Sequence, residues 1–593
     1  MKKVIRSRVI GMAENGTAGV SAAVFAAGII VLVALLVAAF LPAFAGGGAS
    51  GLESATGSSF SLGSGTADAA SGLISATRSF SEWRSVWRSL VFSVKQAFCS
   101  TLLALVIGLP AAFFVARRHF AGSRLLRAFS AVPLCIPPIL VALGYVQAFG
   151  MNGIANRFLM QLTGSEEAPL GFLYSFTGVV IAHGFYNFPI IMRTVADSWA
   201  SLNQDEYDAA RVCGARPFRV FRTVTLPQLA PAIATGASIV FLYCFFSFVI
   251  VLLFISTGGT SLEVEIYHAA RNTLNFTQAS RLALVETGAA LIMLVLYILP
   301  GRKGRRSVSV SRPLEKKKMR GIFEYASLII LLASIIAFFV LPLGSIVARG
   351  SVSFGALFSR SGFFTALKNT LLTSVCTGLL SVLLATVFTV ISHVADPLKK
   401  RLSLQILPLV PMAVSSVVLS YGLMRLFPGS SSPLQLIVAE SLLYWPFAQQ
   451  QINRAMDRIP KTVEQAALIL SPRKFTHVFR VLLPLSRRGI LSGFAFCMAM
   501  SVGDASIPLV LSLPRFDTLA LYTYRLSGAY RFSEACACGF LLLITGIALF
   551  LLADSGFRPR SRGPLKAKSA YIARPAVKAT NHENGENNGV HHD

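Results

Sequence analysis

The chain has 593 residues, of which 54% are hydrophobic and only 13% carry a charge. A soluble protein of this size needs more polar side chains to cover its surface, so the composition excludes a soluble enzyme or binding module. The formal net charge of +28 lies in short basic clusters between apolar runs rather than on one basic surface. This distribution argues against a nucleic-acid partner and is typical of the positive-inside pattern of membrane proteins.

Apolar runs bounded by charged residues, Gly or Pro predict the transmembrane helices. The runs are continuous rather than alternating, and a helix needs about 20 apolar residues to cross a bilayer. The predicted fold is therefore an all-α membrane protein with about twelve transmembrane helices. The predicted spans lie near residues 21–45, 91–116, 127–150, 172–195, 232–256, 281–300, 321–347, 366–393, 403–427, 434–456, 490–512 and 534–554.

The first predicted span could also be interpreted as a cleaved secretory signal. Lys2, Lys3, Arg6 and Arg8 precede an apolar stretch that runs from residue 21 to residue 41. This stretch is longer than the roughly 7–15 apolar residues of a secretory signal. We therefore expect a retained first span, preceded by a cytoplasmic N-terminal segment at residues 1–20.

Composition also divides the chain into two membrane domains. The first spans residues 21–300 and includes an external loop at 46–80 that is rich in Gly, Ser and Ala and is predicted to be flexible. A basic cytoplasmic linker at 301–320 leads to the second domain at 321–555. The polar tail at 556–593 is predicted to be disordered. If the basic clusters face the cytoplasm, both termini are cytoplasmic.

An internal repeat relates the two domains at one constant offset of 257 residues over about eighty residues without a gap. The repeated pattern is an acidic or amide residue, two Ala, a helix-ending residue four positions after the second Ala, and a Leu-Pro pair. The first copy consists of Asp208, Ala209, Ala210, Gly214, Leu226 and Pro227, and the second of Gln465, Ala466, Ala467, Ser471, Leu483 and Pro484. Six spans in each half is an even number, so the halves run parallel and both loops face the cytoplasm.

At these residues the sequence resembles the signature loop of the permeases of binding-protein-dependent ABC importers. Asp208 replaces the usual Glu in the first copy, whereas Gln465 and Ser471 depart from the family pattern in the second. The resemblance covers nearly the whole chain as two family domains in tandem. It implies two parallel six-helix repeats of the ABC importer permease type, fused in one polypeptide.

The resemblance also implies the partners and the location. Each loop would dock an ATP-binding cassette subunit, giving two copies, and an extracytoplasmic substrate-binding protein, soluble or lipid-anchored, would deliver the substrate. The chain has no Gly-x4-Gly-Lys-Ser/Thr phosphate loop, so ATP and Mg would be used by the partner ATPase. We expect no catalysis, no cofactor and no metal site in this chain. The expected location is the bacterial cytoplasmic (inner) membrane.

Finer segments resemble the permeases of thiamine importers. They include residues 178–189, 241–248, 261–267, 501–504, 516–519 and 527–531. The implied substrate is thiamine or thiamine phosphate. Fused permeases for ferric iron share part of this pattern, and polyamines and phosphonates also remain open. An ion-coupled secondary transporter is the competing class, because it too can have twelve spans in two parallel halves.

Few residues address the substrate pathway directly. Asp504 lies in an apolar run, where a carboxylate usually faces a cavity or a partner. It is a candidate contact for the thiamine cation, and equally a candidate structural carboxylate between helices. Tyr186 and Asn187, close to His183, are the other pathway candidates. Glu286 and Lys95 are interpreted as helix-end residues that reach toward lipid headgroups, and His183 as an interhelical hydrogen bonder.

Overall fold

The computed structural model describes residues 65–128, 136–255, 259–303, 314–319, 321–395, 407–428, 432–460, 462–463, 466 and 478–555. Within these ranges the chain is almost entirely helical. The described strands are β1 (Arg118–His119) and β2 (Lys317–Lys318), which pair in parallel. The predicted first span and the predicted C-terminal tail lie outside the described residues.

The first half of the chain forms a bundle around one long helix. Its helices are α1 (Gly65–Arg117), α2 (Ser123–Ala128), α3 (Pro138–Phe149), α4 (Ile154–Thr163), α5 (Phe176–Ala200), α6 (Gln204–Val212), α7 (Pro217–Val220), α8 (Leu226–Phe245), α9 (Val249–Phe254), α10 (Leu262–Tyr267) and α11 (Phe276–Lys303). Single π-helical turns at Phe221–Thr225 and His268–Asn272 precede α8 and follow α10.

The second half has the same kinds of elements in a similar order. Its helices are α12 (Ile322–Ile335), α13 (Leu341–Ser351), α14 (Phe354–Phe358), α15 (Ser361–Ala395), α16 (Ser416–Leu426), α17 (Pro433–Met456), α18 (Leu483–Leu485), α19 (Arg487–Gly503), α20 (Ser506–Leu511), α21 (Leu519–Gly528) and α22 (Phe532–Ser555). Short 3-10 turns at Leu407–Leu409 and Pro411–Ala413 precede α16, and π-helical turns at Ile336–Val340 and Val478–Leu482 precede α13 and α18.

The described helices match the membrane-spanning pattern predicted from the sequence. Eight are long and apolar enough to cross a bilayer, and up to ten if two sharply bent helix pairs each count as one span. Every predicted span other than 21–45 overlaps a described helix. α17 corresponds to the predicted span at 434–456 but is not among the eight, because it carries several polar side chains. The all-α membrane fold is confirmed.

The predicted flexible loop at 46–80 is helical where the structure describes it. α1 begins at Gly65 and continues without interruption to Arg117. Adding a residue to an existing helix is much easier than nucleating a new one, and Ala is the best helix former. The Ala-rich stretch therefore extends the apolar helix that follows it instead of forming an irregular loop.

The internal repeat is visible in the structure as helix starts that keep the offset of 257 residues. α5 and α17, α8 and α18, α9 and α20, and α10 and α21 each begin at equivalent positions. Ser261 and Thr518 cap α10 and α21, accepting hydrogen bonds from Val264 N and Leu521 N. A hydroxyl from the long helix of each half supports these starts: Leu262 N donates to Ser93 Oγ (2.9 Å) and Leu519 N donates to Thr370 Oγ1 (2.6 Å).

One segment breaks the symmetry between the halves. α4 and its flanking loops separate α3 from α5, whereas only residues 427–432 separate α16 from α17. Asn156 ties this insertion to the bundle, because its side chain donates to Gly150 O (2.9 Å) and Leu170 O (3.1 Å) and accepts from Leu170 N (2.8 Å).

The first helices of the second half lie across the first half. α13 packs against α3, and a Cβ added at Gly144 would lie 2.7 Å from Pro342 O. Only glycine allows this close approach. Tyr145 Oη donates to Phe338 O (2.6 Å), and Arg349 Nη1 donates to Gln147 Oε1 (2.6 Å). The two halves are therefore interlocked rather than laid side by side.

We predict that Gly144→Val destabilises the protein by about 2 kcal/mol, because the new side chain must displace the α13 backbone. Thermal unfolding in detergent measures the loss. Gly344→Val on α13 is the matched control, since nothing lies within 4 Å of a Cβ added there. Equal melting temperatures for the two variants would contradict the close approach.

Candidate functional site

The candidate site lies at two helix breaks, which occur at equivalent positions of the two halves. α8 ends at Phe245 and α9 begins at Val249, while α19 ends at Gly503 and α20 begins at Ser506. The sequence analysis predicted one continuous span at each place. An irregular backbone within a membrane span is tolerated only where protein or a cavity surrounds it. Paired broken helices near the middle of a repeated fold are typical of transporter binding sites.

A central cavity of about 270 Å³ lies at these breaks, between the two halves. Residues 246–250 and 503–506 line it from the two breaks. Residues 136–139, 412 and 414–416 contribute the rest of the wall together with side chains of α5, α8, α17 and α19. The cavity is largely apolar and aromatic, with a few polar groups directed into it, as is usual for small-molecule sites.

The structure brings the predicted pathway residues together, because Tyr186, Asn187 and Asp504 all line the central cavity with His183. Tyr186 Oη donates to Ile136 O (2.6 Å). Asn187 Nδ2 donates to His183 O (3.1 Å), whereas Asn187 Oδ1 is buried without a partner. His183 Nδ1 lies 3.2 Å from the Gln96 side chain on α1, so the interhelical role expected for this histidine is found.

Asp504 organises the second break. Its Oδ1 accepts hydrogen bonds from Ser506 N (2.7 Å) and Ile507 N (3.4 Å), at the start of α20. Its Oδ2 accepts from Tyr444 Oη (2.7 Å) on α17. Both oxygens are thus engaged by protein donors while the side chain lines the cavity. The structural role expected as one alternative for this carboxylate is present in this conformation.

Glu440 is a second acidic group near the cavity, and the sequence analysis missed it. It is fully buried on α17, where Oε2 accepts from Thr377 Oγ1 (2.8 Å) and from Ser501 Oγ. Oε1 has no partner. The signal in the sequence was its position, because the offset of 257 residues makes Glu440 the counterpart of His183.

The same offset shows that the two copies of this polar cluster differ in charge. The counterpart of Asp504 is Ser247, and the counterpart of Glu440 is His183. Tyr444 and Ser501 likewise correspond to Asn187 and Cys244. Both acids of this cluster, Asp504 and Glu440, are therefore contributed by the second half.

A larger cavity of about 600 Å³ adjoins the first one. Leu242, Tyr243, Met412 and Phe447 line both, so these four side chains form the wall between them. The larger cavity lies toward the end of the bundle that carries the repeated loops, because the last turns of α5 and α17 line it. Its polar lining includes three arginines, two amides and one acid: Arg193, Arg454, Arg458, Gln450, Gln451 and Asp197.

The first repeated loop is a short exposed helix with well-formed ends. Asn203 caps α6 by accepting from Asp205 N (3.0 Å). At the other end Gly214 adopts φ +77°, Gly214 N donates to Arg211 O (2.9 Å) and Ala215 N donates to Ala210 O (3.1 Å). These two bonds are the Schellman arrangement that ends many helices. The predicted role of Gly214 as the helix-ending residue is found.

The surface of this loop is uncovered. α6 has no buried residue; Asp208 and Ala209 are exposed and Ala210 is half-buried. Two large apolar side chains of this loop, Val212 at the end of α6 and Phe218 on α7, are 87% and 75% exposed. Apolar side chains that cluster on a surface mark an interaction site.

The linker between the halves is clasped to this loop. The Tyr207 ring on α6 contacts both Arg117 and Lys317, whose charged groups are 5.7 Å and 5.8 Å from its centroid. Lys316 Nζ donates to Val115 O (2.7 Å). The pairing of β1 with β2 completes the attachment, which the sequence analysis did not foresee.

The second repeated loop is described only in part. Gln465, Ala467 and Ser471 lie outside the described residues, and Ala466 is exposed. Leu483 and Pro484 begin α18 just as Leu226 and Pro227 begin α8. The Leu-Pro pair therefore starts a helix in both copies, because proline is tolerated in the first turn of a helix.

One interpretation of the sequence was wrong. Glu286 does not reach toward headgroups, because it is fully buried on α11 between protein elements. Lys95 is exposed, with its Nζ 5.2 Å from the Phe176 ring centroid. A carboxylate in an apolar run usually faces protein or a cavity, and Glu286 follows this rule rather than the helix-end interpretation.

We predict that Asp504→Ala lowers the melting temperature clearly and Asp504→Asn much less. The alanine leaves two backbone N–H groups and the Tyr444 hydroxyl without their acceptor, at about 1–3 kcal/mol for each group that stays unsatisfied. The asparagine keeps one oxygen for the start of α20. Asp197→Ala, at an exposed carboxylate, serves as the control. Indistinguishable melting of the alanine variant and the wild type would refute the structural role.

Comparison with known proteins agrees with this architecture. The family model described as the inner membrane component of binding-protein-dependent transport systems matches residues 104–301 and again residues 398–560. A thiamine transport system permease protein of Brucella abortus (strain 2308) is 26% identical over 501 residues, covering 81% of this chain and 90% of the relative. The thiamine transport system permease protein of Escherichia coli (strain K12) is 25% identical over 494 residues, covering 79% and 89%.

A third relative matches a shorter part of the chain. A putative 2-aminoethylphosphonate transport system permease protein of Salmonella choleraesuis (strain SC-B67) is 30% identical over 220 residues, covering 37% of this chain and 77% of the relative. The duplicated helices, the paired breaks and the two family matches lead to one conclusion. The chain belongs to the family of inner membrane components of binding-protein-dependent transport systems, as a multi-pass permease with two copies of the family domain.

Proposed function

We propose that this chain forms the translocation pathway of an ATP-driven importer for thiamine or a thiamine phosphate. The observation that carries the proposal is the central cavity, which lies between the two halves where both broken helices meet. The names of the full-length relatives, which are thiamine transport system permeases, support the substrate.

The lining of the central cavity suits an aromatic cation. Thiamine carries a positive charge on its thiazolium ring, and the wall offers the Asp504 carboxylate beside the rings of Tyr186, Phe248 and Tyr444. Aromatic faces attract cations by about 0.5–2 kcal/mol, more when water is excluded. Glu440 is buried behind this wall, where its Oε2 accepts hydrogen bonds from Thr377 and Ser501.

The two adjoining cavities suit alternating access. The wall of Leu242, Tyr243, Met412 and Phe447 combines residues of both halves, so a relative movement of the halves would open or close it. In the proposed orientation the larger cavity opens toward the cytoplasm. The substrate would reach the central cavity from the binding protein and leave through the larger one.

The energy for that movement would come from a separate ATPase. We place both repeated loops and both termini in the cytoplasm, and each loop docks one of two ATPase copies, which use ATP and Mg. The exposed α6, which ends at Val212, and the nearby Phe218 offer an apolar surface that a groove on the ATPase can cover. The clasp at Tyr207 then transmits a displacement of α6 to the start of the second half.

We predict that Ala210→Glu abolishes co-purification of the ATPase subunit while the permease remains inserted in the membrane. A longer charged side chain on α6 would prevent close packing in the partner's groove. Ala356→Glu is the matched control, because Ala356 is exposed on α14 at the opposite end of the bundle. Unchanged co-purification of the Ala210→Glu variant would exclude docking through this loop.

The substrate assignment is tested on the partner binding protein, identified by co-purification. Calorimetric titration with thiamine, thiamine pyrophosphate and ferric iron is expected to show tight binding of thiamine or its phosphate and no binding of iron. Reconstituted vesicles should then take up the bound compound with ATP, even after collapse of the proton gradient. Binding of iron alone would replace the substrate, and uptake that needs the gradient would indicate the ion-coupled class.

A further inference from the structure

Two glutamates that the proposed pathway does not use are buried together between the halves. Glu263 lies on α10 and Glu286 on α11, and their exposed fractions are 1% and 0%. α10 packs against α11 and against α16 of the second half. Both carboxyl groups approach the hydroxyl of Ser415, the residue that caps α16. The pair therefore lies at a contact between the two halves.

Neither carboxyl group has the hydrogen bonds that a buried carboxylate needs. None of the four oxygens lies in hydrogen-bonding geometry with any described group. The Ser415 hydroxyl already accepts from Val418 N (3.1 Å), so it has a single proton to donate and cannot serve both carboxylates. Buried polar groups are normally paired, and an unpaired buried charge costs several kcal/mol.

No basic side chain of the described residues compensates the pair. After Glu286, the other acidic group with an electrostatic effect on Glu263 is Asp504, which is a further negative group. The other titratable groups on the packed elements have partners elsewhere. Three basic side chains, Lys95, Arg281 and Arg425, lie over aromatic rings. Arg271 donates hydrogen bonds to the carbonyls of Val510 and Leu511. The remaining groups are hydrogen-bonded in the pairs His268–Asn272, Glu265–Thr260, Tyr421–Ser280 and Cys244–Asn187.

The surroundings restrict what can neutralise the pair. The two side chains do not line the central cavity, so the substrate in that cavity does not contact them. Within the described part of the chain, no group of three or more His, Cys, Asp or Glu is arranged to hold a metal ion. A proton needs neither space nor further ligands, and two close buried carboxyls cannot both be ionised.

We infer that Glu263 and Glu286 form a proton-binding site that holds at least one proton at neutral pH and thereby keeps α10 and α11 against α16. A protonated carboxyl loses its charge and gains an O–H donor. Protonation therefore removes the repulsion and supplies the hydrogen-bond donor that the pair lacks. The proton comes from water when the halves pack. This inference does not depend on the identity of the substrate.

The sign of the pH dependence follows from proton counting. The unfolded chain has ordinary carboxyl groups, which release their protons well below neutral pH. The folded chain binds more protons than the unfolded chain near neutral pH, so its stability falls as the pH rises. For one retained proton, the melting temperature is expected to fall by about 2 °C per pH unit across this range.

The test compares the full-length permease in detergent with its Glu286→Gln, Glu263→Gln and doubly substituted variants, by thermal unfolding from mildly acidic to mildly alkaline pH. A glutamine mimics the protonated acid, so each of these variants should lose part of the wild-type decline with pH. Infrared difference spectra should show the carbonyl stretch of a protonated carboxyl in the wild type, absent from the double variant. Glu265→Gln, on the same helix, is the matched control and should keep the wild-type decline.

Three results would overturn the inference. One is an unchanged pH dependence in the double variant, and another is a wild-type spectrum without the protonated carboxyl band. The third is restoration of the alkaline melting temperature by Na⁺ at constant pH, which would assign the pair to a metal cation instead. Failure of thiamine binding or of ATPase docking would leave all three measurements interpretable, because none of them requires a partner.

Discussion

A helix that crosses a bilayer can be interrupted only where protein surrounds the interruption, because lipid offers no hydrogen bonds to the freed backbone groups. This constraint places both breaks, at residues 246–248 and 504–505, on the contact between the halves. The cavity follows from the breaks, since ending one helix and starting another opens space between them. Asp504 then supplies the acceptors that the second break needs.

Duplication has preserved the backbone and allowed the chemistry to diverge. Helix starts keep one offset through α5 to α10 and α17 to α21, and hydroxyl side chains cap α10 and α21 alike. Around the cavity, by contrast, His183 and Ser247 occupy the positions equivalent to Glu440 and Asp504. A parallel repeat thus provides a similar backbone frame around a pathway whose polar side chains differ between the halves.

Local chemistry explains which features could be predicted from the sequence. Gly214 and the Leu-Pro pairs act through their own backbone, so their roles can be inferred wherever they occur. Tyr186, Asn187 and Asp504 were found because polar residues in apolar runs usually face protein or a cavity.

Features that depend on distant parts of the chain could not be predicted. The burial of Glu286, the clasp of Tyr207 by Arg117 and Lys317, and the packing of α13 on α3 each join segments far apart in sequence. No periodicity or spacing encodes such pairings in a single sequence. The helical extension of α1 to Gly65 was missed for another reason, because the Gly and Ser content of the segment was given more weight than its Ala.

The packing of α13 over Gly144 has a consequence for biosynthesis. During translation α3 enters the membrane well before Pro342 has been made, so the groove at Gly144 first contacts lipid or the insertion machinery. The hydrogen bonds of Tyr145 and Gln147 also form only after the later helices have been made. Joining both halves in one polypeptide keeps the missing helix tethered to the groove that it fills, so the closing contact forms within one molecule and does not depend on meeting a second chain.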